Sequence, residues 1–369
     1  MKKVLIYIGV FFVCLLIGAF GMYFYISKHP ATFQKIITKS EKKVKIDDTG
    51  ISEAVEKVYD AVVTVSTFKN STAYASGTGF VYKKTDEKSY ILTNAHVISN
   101  ADEVYVKFTN GINEKVEVIG SNLMADIAVL SISNDKVISY AEIGSSEKSK
   151  IGDTVFTVGA PLDSAYSWTV TRGILSGKDR LIEVSSNNQS MKSMYNDSYM
   201  MNVLQTDAAI NSGNSGGPLA NGNGEVIGIT SLKLVSSGIE GMGFAIPIET
   251  ALKYAEKIIK GEEIIMPYIG VSMLNINEAY YYREFRDIVL DSKLEKGVVI
   301  ASVESDSPAA KAGLKQGDII TKIGNEEVSS IAYLRYVLYK HEVGDKIKIS
   351  YIRNNKTLST NITLGKNKS

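Results

Sequence analysis

The stretch that most constrains this chain is Asn211-Ser212-Gly213-Asn214-Ser215-Gly216-Gly217-Pro218-Leu219. One glycine before a serine, two after it and a closing proline make a backbone that bends sharply and admits close approach. Glycine tolerates the conformations such a loop needs, and proline stops it from running on as a helix. A serine at the apex exposes its Oγ beside converging backbone N–H groups, the arrangement of a nucleophile next to an oxyanion hole. A plain turn between two strands is the competing reading of any short glycine-rich stretch. A base and an acid to orient it would decide between the two.

The chain has three histidines. His29 follows a long apolar segment and His341 lies near the C-terminus. His96 closes the apolar strand Tyr90-Ile91-Leu92-Thr93-Asn94-Ala95, where it can face a cleft and act as a general base. The acid is expected at Asp126, in the otherwise apolar Ala125-Asp126-Ile127-Ala128-Val129-Leu130, because a carboxylate is expensive to bury there unless paired. Asp153 and Asp207 lie in more polar or turn-like surroundings. The order His96, Asp126, Ser215 is the chymotrypsin-like order of a catalytic triad. In that scheme His96 takes the Ser215 proton, Asp126 orients the imidazole, and the loop Gly213, Asn214, Ser215 forms the oxyanion hole through the N–H groups of Gly213 and Ser215.

These strings, with Thr206-Asp207-Ala208-Ala209-Ile210-Asn211 leading into the serine loop and Gly241-Met242-Gly243-Phe244-Ala245-Ile246-Pro247 beyond it, resemble the HtrA (Deg) family of serine proteases. The resemblance runs from about residue 52 to the end. It departs at Ser212, where the family usually has proline, and at the turn Gly159-Ala160-Pro161. It implies a mainly β chain: a chymotrypsin-like double β-barrel followed by a PDZ domain. It also implies cleavage of misfolded or unfolded proteins, holdase activity in some relatives, and a homotrimer.

Composition narrows the rest. The 369 residues allow two or three domains. Forty-one basic and 40 acidic residues leave a net charge of +1, with no basic patch to suggest nucleic acid. Cys14 is the one cysteine, so neither an intramolecular disulfide nor a cysteine metal cluster is possible, and no metal or cofactor is expected.

Met1-Lys2-Lys3 precedes an apolar run from Val4 to Ile26. As a helix this run is roughly 34 Å long, enough for a hydrocarbon core of about 30 Å. A cleaved signal has a shorter apolar core and a small-residue cleavage site, and Ser27-Lys28-His29-Pro30 provides no clear one. Tyr23 and Tyr25 suit the far interface, and Lys2 and Lys3 the cytoplasmic side. An uncleaved anchor with an extracytoplasmic body is therefore expected, with a cleaved signal as the alternative.

The expected organisation is an anchor over 1–26, a polar stalk over 27–50, a protease domain over 51–262 and a PDZ domain over 266–366. Glu53 to Tyr59 read as a short helix and Ala61 to Val65 as the first strand. Val104, Val106 and Phe108 alternate with Glu103, Tyr105 and Lys107 as a half-buried strand does. Asn221-Gly222-Asn223-Gly224 marks a hairpin. Ala251, Leu252, Ala255, Ile258 and Ile259 recur at helical spacing with Gly261 just beyond. The polar segments 185–199 and 232–241 read as surface loops, which by the resemblance sense activators and shape the substrate pocket.

Beyond Pro267, Tyr268-Ile269-Gly270-Val271 resembles the carboxylate-binding loop of an HtrA-type PDZ domain. Ser305-Asp306-Ser307-Pro308-Ala309-Ala310-Lys311-Ala312-Gly313-Leu314 and Gly317-Asp318-Ile319-Ile320 fit the same domain. There a peptide with a hydrophobic C-terminus adds as a strand, its carboxylate meeting backbone N–H groups, with Ile331 to Tyr339 as the flanking helix. Asn214, a neutral amide before the nucleophile, cannot form the ion pair that switches on many trypsin-like zymogens. Ala209, six before the nucleophile, removes the acid that selects Arg or Lys, and the family suggests small aliphatic P1 residues. The other function class is a membrane-anchored chaperone or scaffold that holds clients through the PDZ groove.

Overall fold

A computed structural model of the chain describes residues 2–28, 49–159, 168–184, 198–234 and 241–366. Of the stalk expected over 27–50, residues 29–48 lie outside the described residues, as does the greater part of the loops 185–199 and 232–241. Ser27 and Lys28 end one helix, and Thr49 and Gly50 begin another. Ala160 and Pro161 also lie outside the described residues.

The N-terminal unit contains helix α1 (Lys2–Lys28). Its stretch Ile6–Lys28 has a mean hydropathy of 2.2, long and apolar enough to cross a membrane as an anchor or a signal sequence does.

Residues 49–369 form the second unit. It opens with α2 (Thr49–Tyr59), longer than the expected helix, whose Ala54 and Val58 are buried. Seven strands follow: β1 (Val62–Lys69), β2 (Thr72–Lys84), β3 (Lys88–Thr93), β4 (Glu103–Lys107), β5 (Asn113–Lys115), β6 (Glu117–Asn122) and β7 (Ile127–Ser133). They form one sheet in the order β5-β4-β1-β2-β3-β7-β6. Val63, Val65, Val81, Ile91, Val106 and Leu130 all point into one apolar core, because alternate residues of each strand share a face. Between β3 and β4 a single helical turn, α3 (Ala95–Ile98), interrupts the sheet.

The next strands are β8 (Thr154–Gly159), β9 (Thr169–Val184), β10 (Tyr199–Thr206), β11 (Pro218–Asn221), β12 (Val226–Thr230) and β13 (Gly243–Pro247). They close into a barrel in the order β10-β13-β12-β11-β8-β9, which removes the unpaired edges of an open sheet. The β11–β12 turn falls at the expected Asn221–Gly224 hairpin, with Gly224 at φ 84°. Helix α4 (Ile248–Ile259) follows with Ile248, Ala251, Ala255 and Ile258 buried along one side.

The C-terminal part pairs β14 (Pro267–Tyr268) with the last strand, β21 (Gly365–Lys366). Between them lie β15 (Val271–Asn275), α5 (Ile276–Ala279), α6 (Arg283–Ser292), β16 (Val298–Val303), α7 (Pro308–Lys311) and β17 (Ile319–Ile323). Then come β18 (Glu326–Glu327), α8 (Ile331–Leu338), β19 (Lys346–Arg353) and β20 (Lys356–Thr363). The sheet order β15-β16-β17-β19-β20 leaves β15 at an edge. Its core is built from Val298, Ile300, Ile320, Leu334, Ile349 and Ile362 among others. The buried Asp318 is held by Arg353, with Nε to Oδ1 and Nη2 to Oδ2 both at 2.6 Å. Contact with the closed barrel runs through α8 and β10, next to which Arg335 Nη1 donates to Ser198 O at 2.8 Å.

Candidate active site

The site lies between the first sheet and the closed barrel, which supply its two halves. His96 sits on α3, one turn past the end of β3, so the strand delivers it but does not contain it. Asp126 immediately precedes β7, with a left-handed φ of 56°. β3 and β7 are antiparallel neighbours with Thr93 opposite Ala128, and this register brings residues 30 apart in the chain together.

Asp126 is fully buried and its carboxylate is well supplied with donors. Oδ1 accepts the His96 backbone N–H at 3.0 Å, and His96 Nδ1 lies 2.9 Å from Oδ1 and 2.8 Å from Oδ2. The Ser231 hydroxyl donates to Oδ2 at 2.8 Å, and Asn94 Nδ2 donates to the Asp126 carbonyl at 2.9 Å. Both carboxylate oxygens thus have the hydrogen-bond partners that a buried polar group needs and that the apolar β7 sequence alone does not supply. Burial pushes the neighbouring Tyr199 phenol well above its ordinary range, and the Asp126 charge adds to the rise.

Ser215 stands on a loop clamped by both halves. From β2, Thr78 donates its hydroxyl to Gly213 O at 2.6 Å and its N–H to Ser215 O at 2.8 Å. From β12, Thr230 donates its hydroxyl to Asn214 O at 2.6 Å and accepts the Gly216 N–H at its own carbonyl at 2.8 Å. Gly216 has φ 86°, and a Cβ there would lie 2.1 Å from Thr78 O, so only glycine fits. The N–H groups of Gly213 and Ser215 donate to nothing among the described residues, whereas that of Asn214 is given to Asn211 O at 3.0 Å. Two of the three loop residues thus have a free donor. The buried Asn214 side chain instead donates from Nδ2 to Ala209 O at 3.3 Å.

The Ser215 hydroxyl accepts the Leu232 N–H at 3.0 Å. Among the described residues it forms no hydrogen bond with His96. Ser231, which touches Asp126, is missed by the sequence reading, and Leu232, which touches Ser215, opens the segment 232–241 that the resemblance assigns to the substrate pocket. The one signal for Ser231 is a polar residue directly after the apolar run Val226–Thr230.

In the C-terminal part, Tyr268, Ile269, Gly270 and Val271 lead into the edge strand β15. Gly270 has φ 80° and a Cβ there would lie 2.2 Å from Ser307 Cβ. Its carbonyl accepts the Glu304 N–H at 3.0 Å, and that of Ile269 accepts the Ala309 N–H at 2.8 Å. The Tyr268 hydroxyl donates to Glu304. Burial and then that hydrogen bond push the phenol up to about 12. Val271 and Met273 pack on the core that α8 covers.

Residues 77–229 match the family model for a trypsin-like peptidase domain and residues 267–364 that for a PDZ domain. The serine protease Do-like HtrB of Bacillus subtilis (strain 168) is 38% identical over 334 residues, covering 86% of this chain and 71% of that protein. The serine protease Do-like HtrA of Lactobacillus helveticus is 41% identical over 298 residues, 79% of this chain and 68% of its own. Among solved structures, the serine endoprotease from Yersinia pestis has a TM-score of 0.63 at 31% identity, over 86% of this chain and 98% of that one. With a serine loop between two β halves and a PDZ domain behind it, the chain belongs to the HtrA family of serine proteases and is a serine endopeptidase.

Proposed function

We propose that Ser215 is the nucleophile, His96 the general base and Asp126 the residue that orients the imidazole. The observation that carries this is the Nδ1–carboxylate contact, which leaves the other ring nitrogen, Nε2, available to a serine hydroxyl. In the reaction His96 Nε2 takes the Ser215 proton as Oγ attacks the peptide carbonyl. The same proton then passes to the leaving amine as the C–N bond breaks. Water, deprotonated by His96, releases the acyl group and restores Ser215. The free N–H groups of Gly213 and Ser215 are the oxyanion donors, each worth about 3 kcal/mol in comparable enzymes.

In this resting arrangement Ser215 Oγ accepts the Leu232 N–H and keeps its own proton, which has still to be turned towards His96. The organisation that accompanies this reading is a protease domain over 51–262, a PDZ domain over 266–366 and a polar stalk over 27–50. The helix of 1–26 would be an uncleaved anchor, its N-terminus cytoplasmic and the remainder extracytoplasmic. The ligands are unfolded proteins at the active site and hydrophobic C-termini at Tyr268–Val271, where the edge strand β15 leaves room for an added strand. The oligomer is a homotrimer by family habit.

The test is Ser215→Ala in the full chain, with casein as substrate and a fluorophosphonate as the serine-reactive probe. Loss of both turnover and labelling, with the fold retained, is the expected result, since removing one triad member costs several orders of magnitude. Undiminished proteolysis would overturn the assignment of Ser215 as the nucleophile. Retention in the membrane fraction after carbonate washing tests the anchor, and a soluble form beginning near residue 27 would overturn it.

A further inference from the structure

Between α4, β10 and α8 two cavities adjoin, about 310 Å³ and 190 Å³, sharing Tyr254, Met266, Tyr339 and Lys340 in their walls. Together they fall within the roughly 300–1,000 Å³ of ordinary small-ligand sites. They are separate from the serine and from the β15 edge.

The inner cavity is walled mostly by Met124, Tyr199, Met201, Tyr254, Met266 and Tyr336, apolar or aromatic bodies that suit a hydrocarbon, with Asn202 and Thr250 as its polar members. The outer one is basic: Lys253 and Lys257, four apart on α4, face the same opening as Lys340 and His341. Neither Lys253 nor Lys257 has a carboxylate partner among the described residues. Lys340 lies 4.4 Å from the Tyr336 ring centroid, at the join of the two cavities, and 3.9 Å from Glu326. Two acids also line the opening. Glu263 is held by Lys366 at 2.6 Å, and Glu342 is exposed.

An apolar chamber behind a cluster of under-neutralised ammonium groups has the charge pattern of a single-chain anionic amphiphile. We propose that this cleft binds a long-chain carboxylate, its head on Lys253, Lys257 and Lys340 and its chain among the methionines and tyrosines. The bound chain would lie against Ala125 and Tyr199, the immediate neighbours of Asp126.

The test is photolabelling of the full chain in detergent with a fatty acid carrying a mid-chain diazirine, followed by mass mapping of the adducts. Adducts are expected on the peptides containing Tyr199–Asn202, Met266 and Tyr336–Tyr339. Labelling there should fall about fivefold for the Lys253→Gln/Lys257→Gln variant and for the neutral alcohol of the same chain, the size of a modest ion-pair term. Unchanged casein turnover by the double variant shows that it has folded, and the alcohol comparison on the parent chain needs no variant. Equal labelling by acid and alcohol, or adducts confined to α1, would overturn the proposal. Equally effective displacement by a peptide with a hydrophobic C-terminus would give the cleft to peptides and overturn it as well.

Discussion

Leu232 gives its backbone N–H to Ser215 Oγ at 3.0 Å, and the residue before it, Ser231, gives its hydroxyl to Asp126 Oδ2 at 2.8 Å. One dipeptide thus touches both ends of the proposed triad. It begins a short 3-10 turn, Leu232–Leu234, at the end of β12. One short segment thus fixes groups on both Asp126 and Ser215, so its conformation bears directly on where the Ser215 hydroxyl stands relative to His96.

Ser231→Ala removes the hydroxyl from Asp126 and leaves the His96 contacts in place. A hydrogen bond to a charged group is worth about 1.5–3 kcal/mol, so kcat/KM should fall at least about tenfold. Ser231→Thr should restore most of it. Steady-state kinetics on a small peptide substrate read the effect, and no change in either variant would show that Asp126 is oriented by His96 alone.

Control by peptides at the PDZ groove is a proposal for which the structure offers a conduit to test. Arg335 on α8 donates to Ser198 O, and the next residue, Tyr199, feels the charge of Asp126. A peptide ending in a hydrophobic residue should raise both casein cleavage and fluorophosphonate labelling, if it binds the active arrangement more tightly. A tenfold preference corresponds to about 1.4 kcal/mol. Arg335→Ala should weaken the stimulation while leaving peptide affinity, measured by fluorescence polarisation, unchanged. Binding without stimulation in the parent chain would make the PDZ domain a tether.

The ion pair in the PDZ domain carries stability. Asp318 is buried, and Arg353 also donates to Gly313 O at 2.8 Å. Asp318→Ala strands the guanidinium and should cost about 3 kcal/mol of PDZ stability, read by urea denaturation. Arg353→Lys in the parent chain should also lower stability, because lysine lacks the planar fork that meets both Asp318 oxygens.

Glu249, in the first turn of α4, provides a pH test. Burial pushes its carboxyl up. The Ser146 hydroxyl at 2.5 Å, backbone N–H groups and the Ser145 hydroxyl at 2.8 Å outweigh that and hold it below its ordinary 4.5. A depressed carboxyl contributes stability that is complete above its unfolded value and lost as pH falls through the folded one. Glu249→Gln should therefore lower stability by about 1 kcal/mol at neutral pH, with the deficit shrinking below pH 4.5. A deficit independent of pH would place the effect in shape, not charge.

Much of this was legible because it is local. Strand alternation at Val104–Phe108, the glycines of the serine loop and the period of α4 each follow from residues a few positions apart. His96 and Asp126 were visible as chemistry out of place in apolar runs. Their contact depends on the β3–β7 register. The short turn holding His96 was read as a strand end, since four residues carry too little helical period to detect. The sequence reading of Gly213 and Ser215 as the oxyanion donors agrees with Asn214 giving its N–H to Asn211 O, a bond that only the folded loop displays.

The sequence by itself determined the chemistry available: one serine in a glycine-rich loop, a histidine, an acid in an apolar run, an apolar span of membrane length and a PDZ-like C-terminal part. Only the tertiary structure decided which groups meet. The Ser231 hydroxyl on Asp126, the Leu232 N–H on Ser215, the Arg335 bridge to Ser198 and the cleft behind Ala125 each join residues from 17 to 137 positions apart or different elements altogether. Such contacts are set by strand register and domain packing. Hydrogen bonds act over about 3 Å, and no local propensity carries that information along the chain.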